Sequence, residues 1–128
     1  MTINFARVQA YLNAIAGAAN GDITFSPHKD FWNVDYATFQ AGMVPHVTCP
    51  PGAGGQPIPN LAPGDRMQSA FNLILRTAAG FCTMPQMPAG GPFITDNGYS
   101  VNVNGVNVTG QQILDDLRDW LQKGAPEL

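Results

Sequence analysis

Four stretches of the chain carry apolar residues at the three- and four-residue spacing of an amphipathic helix. They run from Ile3 to Ala16, from Tyr36 to Gln40, between Gly64 and Gly80, and from residue 110 to residue 123. The last has the clearest limits, because Thr109 opens a capping box and Gly124 supplies a left-handed stop. These patterns predict a mainly α fold with three longer helices and one short one.

One stretch instead has the two-residue alternation of a β-hairpin. The turn is predicted at Asn104-Gly105, a dipeptide that favours the tight turn between two antiparallel strands. Counting outward from it pairs Val103 with Val106, Asn102 with Asn107 and Val101 with Val108. We expect a hairpin at about 99–108, directly before the last helix.

The segment from Met43 to Pro63 is rich in proline and glycine and is predicted to be a long loop. Cys49 lies in it, and Cys82 follows 33 positions later, a spacing that fits neither a zinc motif nor a redox Cys-x-x-Cys pair. The two cysteines could pair in a disulfide or remain unpaired if the chain is exported, and we expect two separate thiols if it is cytoplasmic.

Length and charge restrict the classes of function. The 128 residues fit a single domain spanning 1–128. Charged residues are 12% of the chain and the net charge is −3, so we expect no nucleic-acid partner. No apolar run approaches the ~20 residues of a membrane span, and the first residues lack a secretory signal. We therefore expect a cytoplasmic protein as the sequence is written, or a periplasmic or extracellular one if it is a trimmed mature form.

The inventory of reactive side chains predicts no catalytic site. The two histidines, His28 and His46, both lie beside prolines in loop-like sequence. Neither has a nucleophile or an orienting carboxylate at a spacing that would indicate a catalytic base. We expect no enzymatic activity from this chain alone, although it could serve as an accessory subunit of an oxidoreductase.

Three motifs, in their order along the chain, resemble small bacterial c-type cytochrome domains. They are Ala62-Pro63-Gly64-Asp65 opening a helix, Met87-Pro88-Ala89-Gly90-Gly91-Pro92, and Trp120 four residues before Gly124-Ala125-Pro126. The resemblance covers roughly residues 61–126. It implies a cytochrome-c-like bundle of three to four helices, with long Pro/Gly loops and the hairpin at about 99–108 as an insertion. It also implies contact between the first and last helices, with Phe5, Val8 and Leu12 near Leu117, Trp120 and Leu121.

The resemblance also points to a haem site that has been altered. In the family, a Cys-x-x-Cys-His motif follows the first helix, and here Thr24-Phe25-Ser26-Pro27-His28 occupies that place. His28 matches the axial histidine and Met87 the axial methionine, but both cysteines are missing. Covalent haem attachment through this motif is therefore excluded.

Aromatic residues surround the altered motif, namely Phe25, Phe31, Trp32, Tyr36 and Phe39. Each buries roughly 150–250 Å², so together they could fill the volume that the porphyrin leaves. We expect them to close the cavity, against the alternative that they are ordinary residues of a half-buried segment.

Two hypotheses of function follow. The first is a haem-free, cytochrome-c-like accessory protein that binds no cofactor and acts through contact with another protein or with a second copy of itself. The second is a small redox carrier that holds non-covalent haem, or a metal such as copper, through His28 and Met87.

The hairpin is the expected interaction surface in the first hypothesis. Its residues Tyr99, Asn102, Asn104 and Asn107 are uncharged and would not repel an approaching surface. The loop at 45–63 is expected to contribute to the same surface. Alternatively, the hairpin covers the vacated haem pocket with Tyr99, Val101 and Val103.

Overall fold

The computed structural model describes residues 2–128, and within them the chain forms helices and two small sheets. The helices are α1 (Phe5–Ala18), α2 (Tyr36–Ala41), α3 (Ala70–Arg76) and α4 (Gly110–Gln122), with short 3-10 helices at Ile23–Phe25 and Arg66–Gln68. The strands are β1 (Met43–Cys49), β2 (Gln56–Pro59), β3 (Ser100–Val103) and β4 (Val106–Thr109). β1 pairs antiparallel with β2, and β3 with β4.

The prediction of a mainly α, cytochrome-c-like bundle is wrong, and the chain is not all-α. Helices hold 36% of the structure, and two antiparallel sheets of two strands each accompany them. The missed sheet is β1–β2, which we call the ribbon (residues 43–59) and which was predicted as a loop. Its prolines are compatible with strands because every strand of a two-stranded sheet has a free edge, where no backbone N–H is required.

The third helix is shorter than its apolar spacing predicts. Ser69 adopts an extended conformation and separates the turn at Arg66–Gln68 from α3. Its hydroxyl donates to the Arg66 carbonyl, a local bond that competes with a continuous helix, and accepts from the Ala62 N–H. The chain then leaves the helix after Arg76, well before Gly80.

The ends of the other helices follow their sequence signals. Asp35 caps α2 by accepting from the Thr38 N–H, and Gly42 follows its last residue. Thr109 caps α4 by accepting from the Gln112 N–H. At the other end, the Ala125 N–H donates to the Trp120 carbonyl at 2.8 Å, which is the outer bond of a Schellman motif around Gly124.

The predicted hairpin is confirmed in its turn and in its register. Val103 pairs with Val106, Asn102 with Asn107, and Val101 with Val108. Asn104 and Gly105 both have positive φ, as the tight turn requires. The hairpin packs one face against the core and contacts α1, so an otherwise marginal two-stranded unit is stabilised by tertiary contact.

The core forms where the first and last helices meet. The Phe5 and Trp120 rings lie 6.4 Å apart between centroids, and Trp120 is 0% exposed. The Tyr11 hydroxyl donates to the Asp116 carboxylate, which links the same two helices. The predicted contact between these helices is therefore present. Among residues 2–128, no helix has the length and the apolar character needed to cross a membrane.

Candidate functional site

The described part of the chain encloses an apolar cavity of about 470 Å³. Its walls come from the C-terminal half of α1, the segment 19–32, the ribbon, α3 and the segment 81–89. The polar or charged residues in the lining are Asp22, Ser26 and His28, apart from the indole N–H of Trp32, which donates to Asn13. Cavities of this size and composition are typical of sites that bind small, largely apolar ligands.

The five aromatic residues do not close this cavity, and that expectation is wrong. Phe25 is 87% exposed and stands at the cavity edge. Phe39 is fully buried and packs on Phe5 and Phe71, so its volume belongs to the core. Phe31 and Trp32 form part of the wall. Phe25, Phe31 and Trp32 therefore line one side of the cavity, while Phe39 and Tyr36, whose hydroxyl donates to the Ala125 carbonyl, do not line it.

His28 lies in the cavity wall with its imidazole held in a defined orientation. Its Nδ1 is 2.6 Å from the Lys29 carbonyl oxygen, and its ring meets the Phe31 ring edge to face at 5.3 Å. A carbonyl oxygen can only accept, so Nδ1 carries the proton. In the neutral imidazole, Nε2 is then the nitrogen with a free lone pair, the form in which histidine binds metals.

Met87 lies in the same cavity wall and is positioned by its backbone. Its N–H donates to the Ile74 carbonyl at 2.9 Å, which ties the segment 81–89 to α3. The preceding Gln86 is buried and donates to the Leu75 carbonyl and to the Thr95 hydroxyl. The thioether of Met87 therefore belongs to a firmly held loop.

The loop that follows Met87 is fastened to the end of α1. The Asn20 N–H donates to the Gly91 carbonyl, and the Asn20 side-chain amide donates to the Gly90 carbonyl. These bonds bring the Met-Pro-Ala-Gly-Gly-Pro motif beside the residues that lead to His28. The two residues that the sequence proposed as axial ligands thus line one cavity.

Cys49 and Cys82 are joined in a disulfide, with 5.8 Å between their Cα atoms. This bond links the end of β1 to the tight turn Phe81–Met84, in which Phe81 and Met84 bond to each other through their backbones. Both linked segments belong to the cavity wall. The disulfide therefore connects two parts of the site that are far apart in sequence.

The hairpin residues proposed for partner contact divide into two groups. Asn102, Asn104 and Asn107 are exposed. Tyr99 is only 9% exposed and belongs to the core, where burial raises the pKa of its phenol and the negative charge of Asp96 adds to the effect. None of Tyr99, Val101 and Val103 lines the cavity, so the alternative in which they cover the pocket is wrong.

The charged chemistry around the site is sparse. Asp22 is the carboxylate at the cavity edge, and a hydrogen bond from the Thr24 N–H lowers its pKa below the ordinary aspartate value. Among the described residues 2–128, no group of three or more His, Cys, Asp or Glu side chains converges in a way that could hold a metal ion. The candidate donors for a metal are therefore His28 and the neighbouring thioethers.

The sequence reasoning missed the ribbon's share of the site. Val44, Val47 and Ile58 line the cavity, and all three lie in the segment that was predicted as a loop. Only a weak signal existed: Ile58 is an isolated apolar residue between two prolines, whereas Val44 and Val47 are three positions apart and reach the same wall only because β1 is irregular between Met43 and Thr48. Frequent proline and glycine concealed it.

Comparisons of this chain with protein-family models, with curated proteins and with solved structures find no match. The resemblance to c-type cytochrome domains therefore rests on the three sequence motifs alone.

Proposed function

We propose that the protein is a small redox carrier that holds haem without covalent attachment in the apolar cavity, where His28 and Met87 would be the residues that bind the iron. The observation that carries this proposal is that both residues line one apolar cavity of about 470 Å³. Of the two sequence hypotheses, this is the one that the cavity supports.

The donors suit an iron porphyrin. The macrocycle needs an apolar environment, and the imidazole and thioether pair is the axial set found in cytochromes c. His28 offers its Nε2 because its Nδ1 is bound to the Lys29 carbonyl. When bound, haem supplies one-electron transfer at the iron, and the protein's own contribution is to orient the imidazole and thioether and to exclude water.

We also propose that the protein works in an oxidising compartment, periplasmic or extracellular. The support is the disulfide Cys49–Cys82, because such bonds persist mainly outside the reducing cytosol.

The test is titration of the purified protein with haemin, followed by gel filtration. We expect a Soret band that elutes with the protein at one equivalent. His28→Ala and Met87→Ala should each change the spectrum of the bound haem, and His28→Ala should weaken binding by about 10- to 100-fold, since even groups that only support a metal ligand reach this range.

Matched controls are His46→Asn and Met43→Leu, which alter an exposed histidine and an exposed methionine on β1. Both should bind haemin like the unchanged chain. Absence of a co-eluting Soret band, or binding that is the same in His28→Ala, would contradict the proposal. That result would favour the haem-free accessory protein, with the exposed asparagines of the hairpin as its first candidate surface.

A further inference from the structure

The ribbon is joined to the rest of the protein at two ends. At its base, the Asn60 N–H donates to the Gly42 carbonyl, and the Asn60 side-chain amide donates to the Phe39 carbonyl at 3.0 Å. At its far end, Cys49 is bonded to Cys82. Within residues 2–128, the hydrogen bonds made by residues 43–59 themselves stay inside the ribbon, as in the bonds from Thr48 to the turn.

Between these two ends, only apolar contact holds the ribbon to the protein. Val44, Val47 and Ile58 lie in the cavity wall, and Ile58 is 4% exposed. Met43, Pro45 and His46 are exposed. A segment with few buried side chains and no outward hydrogen bonds is the kind that opens locally at low free-energy cost. The covalent bond at its far end is what opposes that opening.

We propose that the ribbon is a lid over the cavity, hinged at Gly42 and Asn60 and latched by the Cys49–Cys82 disulfide, so that reduction of this bond admits and releases the ligand. This inference rests on the proposed function only in taking the cavity as the binding site. It does not depend on the ligand being haem.

The chemistry of the latch is thiol–disulfide exchange with a dithiol reductant. A thiolate of the reductant attacks one sulfur of the Cys49–Cys82 bond, and its second thiol displaces that sulfur from the mixed disulfide. Two thiols remain on this chain and one disulfide on the reductant. Both cysteines are half-buried, so a small dithiol can reach them.

The lid is tested with Nile red, a neutral apolar dye whose entry does not require His28 or Met87. Stopped-flow mixing measures its association and dissociation rates with the full chain, first oxidised and then after treatment with dithiothreitol. We expect both rates to rise at least about tenfold on reduction, with a smaller change in affinity, because opening a lid speeds entry and exit together.

The matched variant is Cys49→Ser with Cys82→Ser. It should show the fast rates without reductant and no further change with dithiothreitol, which controls for other effects of the reagent. Equal rates before and after reduction would overturn the lid, as would failure of Nile red to bind in either state. Loss of the helical far-ultraviolet dichroism on reduction would also overturn it, because the bond would then hold the core.

The Nile red experiment and the haemin titration can fail independently, so they test the lid and the haem proposal separately. A protein that takes up Nile red faster after reduction but binds no haemin retains the lid and loses the haem proposal. A protein that binds haemin through His28 at the same rate in both redox states retains the haem proposal and loses the lid.

Discussion

Gly80 precedes Phe81 of the cavity wall and adopts a conformation that few side chains tolerate. Gly80 has a φ of +75°, and a Cβ at this position would overlap the Met84 carbonyl oxygen. That carbonyl accepts the Phe81 N–H within the turn that carries Cys82 and leads to Met87. Gly80 is therefore required by close backbone approach as well as by its φ.

We predict that Gly80→Ala lowers the free energy of unfolding. The unfavourable φ alone costs about 1–3 kcal/mol in a non-glycine residue, and the overlap of the new Cβ with the Met84 carbonyl adds to this cost. Chemical denaturation measures this change.

The control for that substitution is Gly17→Ala. Gly17 lies within α1, and a Cβ there would meet nothing within 4 Å. This change should be neutral or stabilise the protein by up to about 1 kcal/mol, because alanine favours the helix. Equal effects of the two substitutions would contradict the account given for Gly80.

At the scale of elements, one face of the hairpin belongs to the core, through Val101, Val103 and Val108. Val103 and Val106 face each other across the turn, yet Val103 is 2% exposed and Val106 is 59% exposed. The two paired positions therefore carry the same residue type with different burial. Substituting each valine in turn compares the stability contributed by the buried side chain with that of the exposed one.

We predict that Val103→Ala destabilises the protein by about 1.5–3 kcal/mol, the value of burying two methyl groups or somewhat more. Val106→Ala should change stability by less than about 0.5 kcal/mol. Thermal or urea unfolding of the two variants measures the difference. A hairpin that served only as a detachable binding surface would show two small and similar effects.

Elements with strong local signals could be predicted from the sequence. Thr109 and Gly124 mark α4, and Asp35 and Gly42 mark α2, because capping depends on residues within one turn of the helix end. Asn104-Gly105 fixed the hairpin register for the same reason. The break at Ser69 was not predictable, since it depends on the Ala62 N–H, which only the fold brings within reach.

At the scale of the whole molecule, the disulfide joins two residues that are 33 positions apart in the sequence. A cross-link of this span stabilises mainly by restricting the unfolded chain, by about 3–4 kcal/mol in the chain-entropy estimate. Domains of this length have total stabilities of roughly 5–15 kcal/mol, so the reduced protein should remain folded.

We predict that reduction lowers the midpoint of guanidinium unfolding by an amount equivalent to about 3–4 kcal/mol, while the native far-ultraviolet dichroism stays unchanged. The Cys49→Ser, Cys82→Ser chain should match the reduced protein. A midpoint that does not move on reduction would show that the bond contributes nothing to global stability.

The candidate site could be predicted only in part. His28 and Met87 could be proposed because each lies in a short motif, and both lie in the wall of one cavity. The cavity itself was missed, because whether five aromatic side chains fill a space or surround it depends on packing directions that the sequence does not contain. The ribbon's contribution through Val44, Val47 and Ile58 was missed because it depends on strand pairing between distant residues.

The two tryptophans of the chain occupy different surroundings. Trp120 is enclosed in the core with its indole N–H bound to the Pro126 carbonyl, whereas Trp32 forms part of the cavity wall. The intrinsic ultraviolet emission of the protein therefore has one component that is insensitive to the cavity and one that responds to what lies in it. A ligand in the cavity would lie beside Trp32 and would shift or quench that second component, so the chain contains its own optical reporter of occupancy.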